Sequence, residues 1–188
     1  MSDHDFDLEF KVDDPVFVDK PRREIWLSGE VDEFSTREIV KGIDSLASSS
    51  RDLPIDLIIN SPGGSLFDGL SLCDYMKWQQ SRGLVLGIRV MGMAYSAAAI
   101  ISSSGSRGRR TTFASSRFLI HQLSADVTGK MEEIAKVAAN CQAGNDCMAK
   151  HLSDNTGKDL AEINARLKTE TYFSAAEAVA FGLVDSIL

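Results

Sequence analysis

Three apolar runs, each followed by small residues and then by a helical pattern, place the strongest constraint on how this chain can fold. They cover residues 25–27, 55–59 and 84–91 and are rich in Ile, Leu and Val, as buried strands are. Strands that alternate with helices form right-handed βαβ units and a largely parallel sheet that the helices cover. The sequence therefore predicts an α/β fold built from stacked βαβ units.

Apolar residues at helical spacing predict the helices of this fold. Shorter patterns cover residues 35–47, 65–80 and 159–168, and a longer one covers 130–153, with Gly144 as a candidate kink. The long pattern has more apolar residues than one flank needs, among them Met131, Ile134 and Met148. We therefore expect a long helix that protrudes and offers a surface to a partner.

Further local signals complete the predicted elements. Two capping boxes, over residues 35–38 and 174–177, predict helix starts. Additional short strands are expected over residues 110–113, 117–120 and 183–184.

The length of 188 residues corresponds to one domain with a substantial core. Residues 24–188 hold the predicted elements and form the expected domain. Residues 1–23 are polar and predict a flexible or peripheral arm. Within it, the alternation of Phe6, Leu8, Phe10 and Val12 is compatible with an edge strand or a hairpin.

Composition argues against several classes of partner. A net charge of −7 disfavours nucleic acid and anionic membranes. No apolar run reaches the roughly 18 residues of a membrane span. The cysteines Cys73, Cys141 and Cys147 lack metal-like spacing, and no signal peptide is visible. We expect reduced thiols in the cytoplasm, with neither a metal nor a cofactor.

Three weak signals fall together at the carboxyl ends of predicted strands, where ligands of such sheets bind. They are the turn Asn60-Ser61-Pro62-Gly63-Gly64, the turn at Ser96 and the strand end at His121. Ser96 lies between a buried strand and a helix, among residues too small to shield its hydroxyl. Taken singly, these features also fit tight helix–sheet packing, a plain turn and a hydrogen-bonded core histidine.

These residues permit nucleophilic catalysis, with serine as the nucleophile and histidine as its general base. His4 lies in the acidic arm and His151 within a helix, which leaves His121 as the candidate base. The backbone N–H groups of Ala97 and Gly64 are candidate donors to a tetrahedral oxyanion. A base also needs an orienting carboxylate, and local pattern does not choose among the downstream acids.

The ordered combination of four stretches resembles the ClpP family of caseinolytic serine proteases. The resemblance covers about residues 25–188, and the four stretches are residues 59–64, 91–96, 120–122 and 174–185. It implies a crotonase-like fold with a catalytic triad in the order Ser, His, acid. Ser96 matches the nucleophile and His121 the base, while Gly64 and Ala97 fall on the oxyanion-hole positions.

Counted back from Ser174, the acid of the family falls on Glu170, where the family usually has Asp. After the serine the family usually has Met-Gly, and here Ala97-Ala98 follows. After His-Gln it usually has Pro and a Gly-rich strand, and here residues 123–129 read Leu-Ser-Ala-Asp-Val-Thr-Gly.

The resemblance implies a cytosolic endopeptidase that cleaves unfolded polypeptides through an acyl-enzyme inside a homo-oligomeric ring. An AAA+ ATPase partner is also implied. The pocket that docks this partner is normally aromatic, but Asp56 and Ile58 fall on its positions. We therefore expect docking of a family-type ATPase to be weak or absent.

Three rival functions stay open on the sequence. A crotonase-type acyl-CoA enzyme shares the fold but does not need the Ser96/His121 pair. A Ser–Lys peptidase of the signal-peptide-peptidase type fits less well, because His121 is in place and no membrane anchor is visible. An inactive subunit that completes a mixed ring is compatible with Glu170 and Ala97-Ala98.

Overall fold

The computed structural model describes residues 14–188. Within them, eight strands form one sheet: β1 (Val16–Asp19), β2 (Glu24–Val31), β3 (Ile55–Gly64), β4 (Leu86–Tyr95), β5 (Arg110–Thr112), β6 (Arg117–Ile120), β7 (Thr171–Ser174) and β8 (Ser186–Ile187). The same residues form six helices: α1 (Glu33–Ser49), α2 (Leu66–Ser81), α3 (Ala97–Ser103), α4 (Met131–Thr156), α5 (Leu160–Lys168) and α6 (Ala175–Phe181).

The sheet confirms the predicted α/β class. Its main path runs β1-β2-β3-β4-β5-β8, and β2, β3, β4, β5 and β8 pair in parallel. β6 leaves this path, pairs in parallel with β4 and pairs antiparallel with β7. The antiparallel strands β1 and β7 are additions that βαβ alternation alone does not predict.

Helix α3 lies at the centre of the core, because all of its residues are buried. Small side chains at Ala97, Ala98 and Ala99 let it pack closely against its neighbours. Hydroxyl groups on α3 form hydrogen bonds with the backbone of the same helix: Ser102 Oγ donates to the Ala99 carbonyl, and Ser103 Oγ donates to the Ile100 carbonyl. A helix buried on every side therefore leaves no polar side chain without a partner.

Strands β3 and β4 extend beyond the apolar runs that predict them. Residues 60–64, which the sequence predicts as a turn, continue β3 and pair with β2 through Glu30↔Gly63 and Val31↔Gly64. The register shifts between Ser28 and Glu30. Backbone groups make this ladder, so the strand continues where side-chain hydrophobicity stops.

Helix α1 begins earlier than its predicted capping box. The N-cap is Asp32, whose carboxylate accepts from the Ser35 N–H at 2.7 Å, and Ser35 Oγ accepts from the Asp32 N–H at 2.9 Å. The predicted box of Ser35 with Glu38 is wrong, because Glu38 instead pairs with Lys41 at 2.7 Å. The box of Ser174 with Glu177 is confirmed at the start of α6.

Helix α4 protrudes, because the residues buried along it begin only at Gly144. The helix runs unbroken through Gly144, and the kink there stays a prediction. A Cβ there would lie 3.2 Å from Leu66 Cδ2, and the glycine lets α4 approach α2 closely. Met131 is 81% exposed, whereas Met148 is only 4% exposed and belongs to the core.

The predicted arm is described only in part. Its last residues include β1, which pairs with β2 at the edge of the sheet. The pattern from Phe6 to Val12 lies outside the described residues, and the domain boundary at residue 23 stays a prediction. None of the helices in the described chain combines the length and the apolarity needed to cross a membrane.

Candidate active site

The carboxyl ends of β3, β4 and β6 meet at one place. Parallel pairing aligns Ser61 with Ala94 and Tyr95 with Leu119. The N–H of Ser96 then donates to the Leu119 carbonyl at 2.8 Å. This bond ties the strand-to-helix turn to the strand that ends directly before His121.

Ser96 occupies a backbone conformation that few residues accept. Its φ is +54° and its ψ is −123°, at the N-cap position of α3. Such a conformation in a residue other than glycine costs on the order of 1–3 kcal/mol and is concentrated at functional sites. The half-buried Ser96 is thus held where a strand turns sharply into a helix.

Gly63 allows β3 to pass beside this turn. Its φ is +93°, and an added Cβ would lie 2.7 Å from Ser96 Cβ and 2.4 Å from the Tyr95 carbonyl oxygen. No side chain fits there without moving the serine. The glycine therefore lets the end of β3 lie directly against the Ser96 turn.

A cavity of about 110 Å³ unites the candidate nucleophile with the candidate base. Its lining consists of Gly64, Leu66, Ser96, His121, Leu123, Ser124 and Met148. Two hydroxyls, one imidazole and the backbone of one glycine share this lining with three apolar side chains. Three of the five predicted site residues, Gly64, Ser96 and His121, therefore border one space.

The apolar wall of this cavity is what sequence reasoning missed. Leu66 begins α2, Leu123 follows β6 and Met148 lies within α4. The sequence places Met148 in a possible partner surface. No local signal identifies these side chains, since they come from three distant parts of the chain.

Ala97 follows Ser96 directly and is absent from the described lining of the cavity. The residue is 1% exposed, and its N–H belongs to the first turn of α3, where N–H groups have no partner within the helix. The position of an added Cβ on Gly63 lies 3.2 Å from the Ala97 nitrogen, so the end of β3 runs alongside this N–H.

The backbone of Glu170 lies opposite that of the candidate base. The antiparallel pair Ile120↔Thr171 places Glu170 opposite His121, one step beyond the end of the ladder. Glu170 has a φ of +49° and an exposed side chain. Within residues 14–188, no hydrogen bond joins its carboxylate to the His121 ring, and Glu170 does not line the cavity.

The other candidates from the sequence lie elsewhere. His151 is on α4, where its Nε2 is 3.2 Å from Asp74 Oδ1, and burial together with the charge of Lys77 lowers its pKa. Asp126 is exposed and is absent from the described lining of the cavity. His4 lies outside the described residues.

Comparison with known proteins identifies the family. The family model described as Clp protease matches residues 17–188. The ATP-dependent Clp protease proteolytic subunit of Ligilactobacillus salivarius (strain UCC118) is 31% identical over 166 residues, which are 88% of this chain and 83% of that protein. A peptidase with a mixed α/β fold is the class that these matches define. The chain belongs to the Clp protease family.

Proposed function

We propose that this chain is a serine-type endopeptidase in which Ser96 is the nucleophile and His121 the general base. The observation that carries the proposal is their common cavity, with Ser96 held in a strained strand-to-helix turn at its border. His121 takes the hydroxyl proton as Ser96 Oγ attacks the carbonyl carbon of the scissile bond. The same imidazole then protonates the leaving amine, which leaves an acyl-enzyme that water hydrolyses by the reverse transfers.

The negative charge of the tetrahedral intermediate needs preorganised donors. The N–H groups of Ala97 and Gly64 flank Ser96 from the start of α3 and the end of β3. Backbone donors cost no reorganisation during the reaction, and the loss of one such donor typically reduces kcat about 10²–10³-fold.

Glu170 is the proposed orienting acid. Its backbone lies opposite His121, and no described residue holds its carboxylate, so the side chain is free to rotate towards Nδ1. A carboxylate there fixes the tautomer that leaves Nε2 facing Ser96, and it stabilises the imidazolium.

The substrate that fits this site is an extended, unfolded polypeptide. The cavity is small, and its wall is made by Leu66, Leu123 and Met148. It accepts one apolar side chain next to the scissile bond, and the rest of the chain must lie outside it.

Assembly into a homo-oligomeric ring is part of the proposal. The relative from Ligilactobacillus salivarius is named a proteolytic subunit. In this chain the first half of α4 projects from the core, and Met131 and Val137 are exposed on it. A second copy that covers this projection buries apolar surface. Light scattering that finds only a monomer at micromolar concentration contradicts the ring.

We also propose that docking of a family-type ATPase is weak, because paired charges lie where the family has an aromatic pocket. Asp56 lies 3.2 Å from both Arg89 and Arg109, and Arg89 also pairs with Glu24 at 3.1 Å. These ion pairs occupy the positions of an aromatic wall. An apolar partner residue gains little there, because the charged groups would lose water.

Labelling with a fluorophosphonate probe tests the proposed function. We expect stoichiometric modification of Ser96 in the assembled protein and none in Ser96→Ala. The matched control is Ser124→Ala, which removes the other hydroxyl of the cavity lining and should keep the label. A label on another serine overturns the assignment, and no label at all favours the inactive subunit or the acyl-CoA enzyme.

A further inference from the structure

The segment that carries the base has few restraints of its own. Between β6 and α4, residues 121–130 form neither helix nor strand, and they include His121, Leu123 and Ser124 of the cavity. In the described chain, two backbone N–H groups of residues 122–129 donate hydrogen bonds. The Gln122 N–H donates to the Leu167 carbonyl at 3.2 Å, and the Leu123 N–H to Asn145 Oδ1 at 2.8 Å.

Asn145, in the interior of α4, accepts the hydrogen bond from the Leu123 N–H. The residue is 7% exposed and lies beside Gly144. Helix α4 packs directly against this segment, since an added Cβ at Gly144 would lie at an ordinary van der Waals distance of 3.6 Å from Leu123 Cδ2. The amide of Asn145 therefore reaches the backbone of Leu123 directly.

A buried asparagine in a helix needs a reason. Asparagine is a poorer helix former than alanine or leucine, and a buried amide is stable only when it is hydrogen-bonded. Its partner here is not a neighbouring turn of α4 but an irregular segment 22 residues earlier in the chain. The bond therefore restrains the segment rather than the helix.

The bond also replaces a restraint that the sequence lacks. The Clp proteases usually have proline directly after His-Gln, which fixes φ and carries no N–H. With Leu123 at that position, the φ torsion is free and the backbone N–H needs an acceptor. The hydrogen bond to Asn145 supplies the acceptor and restrains the torsion.

We propose that Asn145 is a positioning residue that holds the His121 imidazole in reach of Ser96 by anchoring Leu123. The inference rests on the proposed function of Ser96 and His121. Ile120 is fixed in the β6–β7 ladder, and Leu123 is fixed by Asn145. His121 therefore lies in a short backbone segment that is restrained at both ends. Without the Asn145 bond, the longer bond from the Gln122 N–H to the Leu167 carbonyl is the backbone N–H restraint that remains on residues 122–129 of the described chain, and the position of the His121 ring is less defined.

The test compares Asn145→Leu, which removes the acceptor at similar size, with Asn145→Asp, which keeps an oxygen acceptor. Gln142→Leu is the matched control, an amide one turn earlier on α4 that is exposed and bonds only Asp146 among the described residues. Three quantities are measured: the rate constant for fluorophosphonate labelling of Ser96, the kcat for a peptide, and hydrogen exchange at the Leu123 amide.

For Asn145→Leu we expect labelling and kcat to fall roughly 10–100-fold, since misplacement of a catalytic group by about 1 Å has effects of this order. Exchange at the Leu123 amide should become faster. Asn145→Asp should recover most of the rate, and Gln142→Leu should equal the wild type. If Asn145→Leu does not fold, Asn145→Ala takes its place, because alanine favours the helix.

Two results overturn the role of Asn145 but leave the proposed function intact. One is a folded Asn145→Leu with a labelling rate within two-fold of the wild type, and the other is an Asn145→Asp whose labelling rate and kcat fall as far as those of the leucine variant. Failure of the wild type to label at Ser96 is a different result. It overturns the proposed function and this inference with it.

Discussion

At the residue scale, the site depends on backbone conformations that most side chains reject. Ser96 and Glu170 both have positive φ, at +54° and +49°, without being glycine. Gly63 passes so close to Ser96 that a Cβ would collide with it. The rest of the fold must hold these conformations in place, and strain of this kind is typical of catalytic sites.

Glu170→Gln should keep the fold but lower the kcat for a peptide by roughly 10²–10⁴-fold, as the loss of the acid does in triads generally. The amide has a similar shape but neither selects the tautomer nor stabilises the imidazolium. Peptidase kinetics and the melting temperature are the measurements, and Asp126→Asn is the control that should be nearly silent. Activity of Glu170→Gln within a few-fold of the wild type would leave a Ser96–His121 dyad.

At the scale of single elements, several helix starts are capped by a side chain just outside the helix. Asp32 caps α1, Asp159 caps α5 and Ser174 caps α6, each by accepting from a backbone N–H three residues later. Left-handed glycines end two helices, Gly157 after α4 and Gly182 after α6. These residues determine where each helix enters and leaves the core, and hence where the strand ends of the site point.

Asp32→Ala should destabilise the protein by about 1 kcal/mol, because the Ser35 N–H loses its acceptor at the start of α1. Urea denaturation gives the free energy of unfolding. Its control is Glu33→Ala, which removes an adjacent exposed carboxylate whose ion pair with Arg37 is long at 3.4 Å and should change stability little. Equal effects of the two substitutions would argue against the cap.

At the scale of the whole molecule, Arg110 on β5 joins the far end of the chain to the core. Its side chain is 4% exposed and donates to carbonyls of Ser103, Asn155 and Gly182, at 3.0–3.1 Å. Asp185 supplies the carboxylate that pairs with the guanidinium. A buried charge is stable only when it is paired and hydrogen-bonded, so the contacts among α3, α4, α6 and β8 depend on this pair.

Asp185→Asn should destabilise the folded state at neutral pH by about 1–3 kcal/mol, because Arg110 then keeps a buried charge with a weaker partner. Burial by itself raises the pKa of Asp185, but the hydrogen bonds and charge of Arg110 outweigh it, so the pKa lies below the ordinary 3.8. As the pH falls, the unfolded chain therefore binds a proton at Asp185 before the folded protein does. The stabilisation is present above pH 3.8 and is lost as the pH falls through the lower folded pKa.

Urea denaturation at several pH values checks this linkage. The difference in the free energy of unfolding between the wild type and Asp185→Asn should shrink on acidification. A difference that stays constant down to the acid transition would assign the stability to another group.

The sequence by itself determined the helices, the central parallel strands and the placement of Ser96 and His121 at strand ends. Each follows from local periodicity or turn chemistry, and parallel strands then bring their carboxyl ends to one edge. The sequence pattern does not reveal the capping residue of α1, because Ser35 with Glu38 matches the usual capping box, whereas Asp32 is followed three residues later by Ser35 and not by Glu or Gln. Geometry of the first turn decides between them.

Only the tertiary structure decided the rest. Antiparallel pairing of β7 with β6 brings Glu170 opposite His121, and the packing of α4 places Met148 and Asn145 against the segment that follows β6. Glu170, Met148 and Asn145 lie more than 20 residues from the groups they approach. Backbone hydrogen bonds and close packing between such distant residues depend little on local sequence pattern. A short stretch of sequence therefore does not predict these contacts.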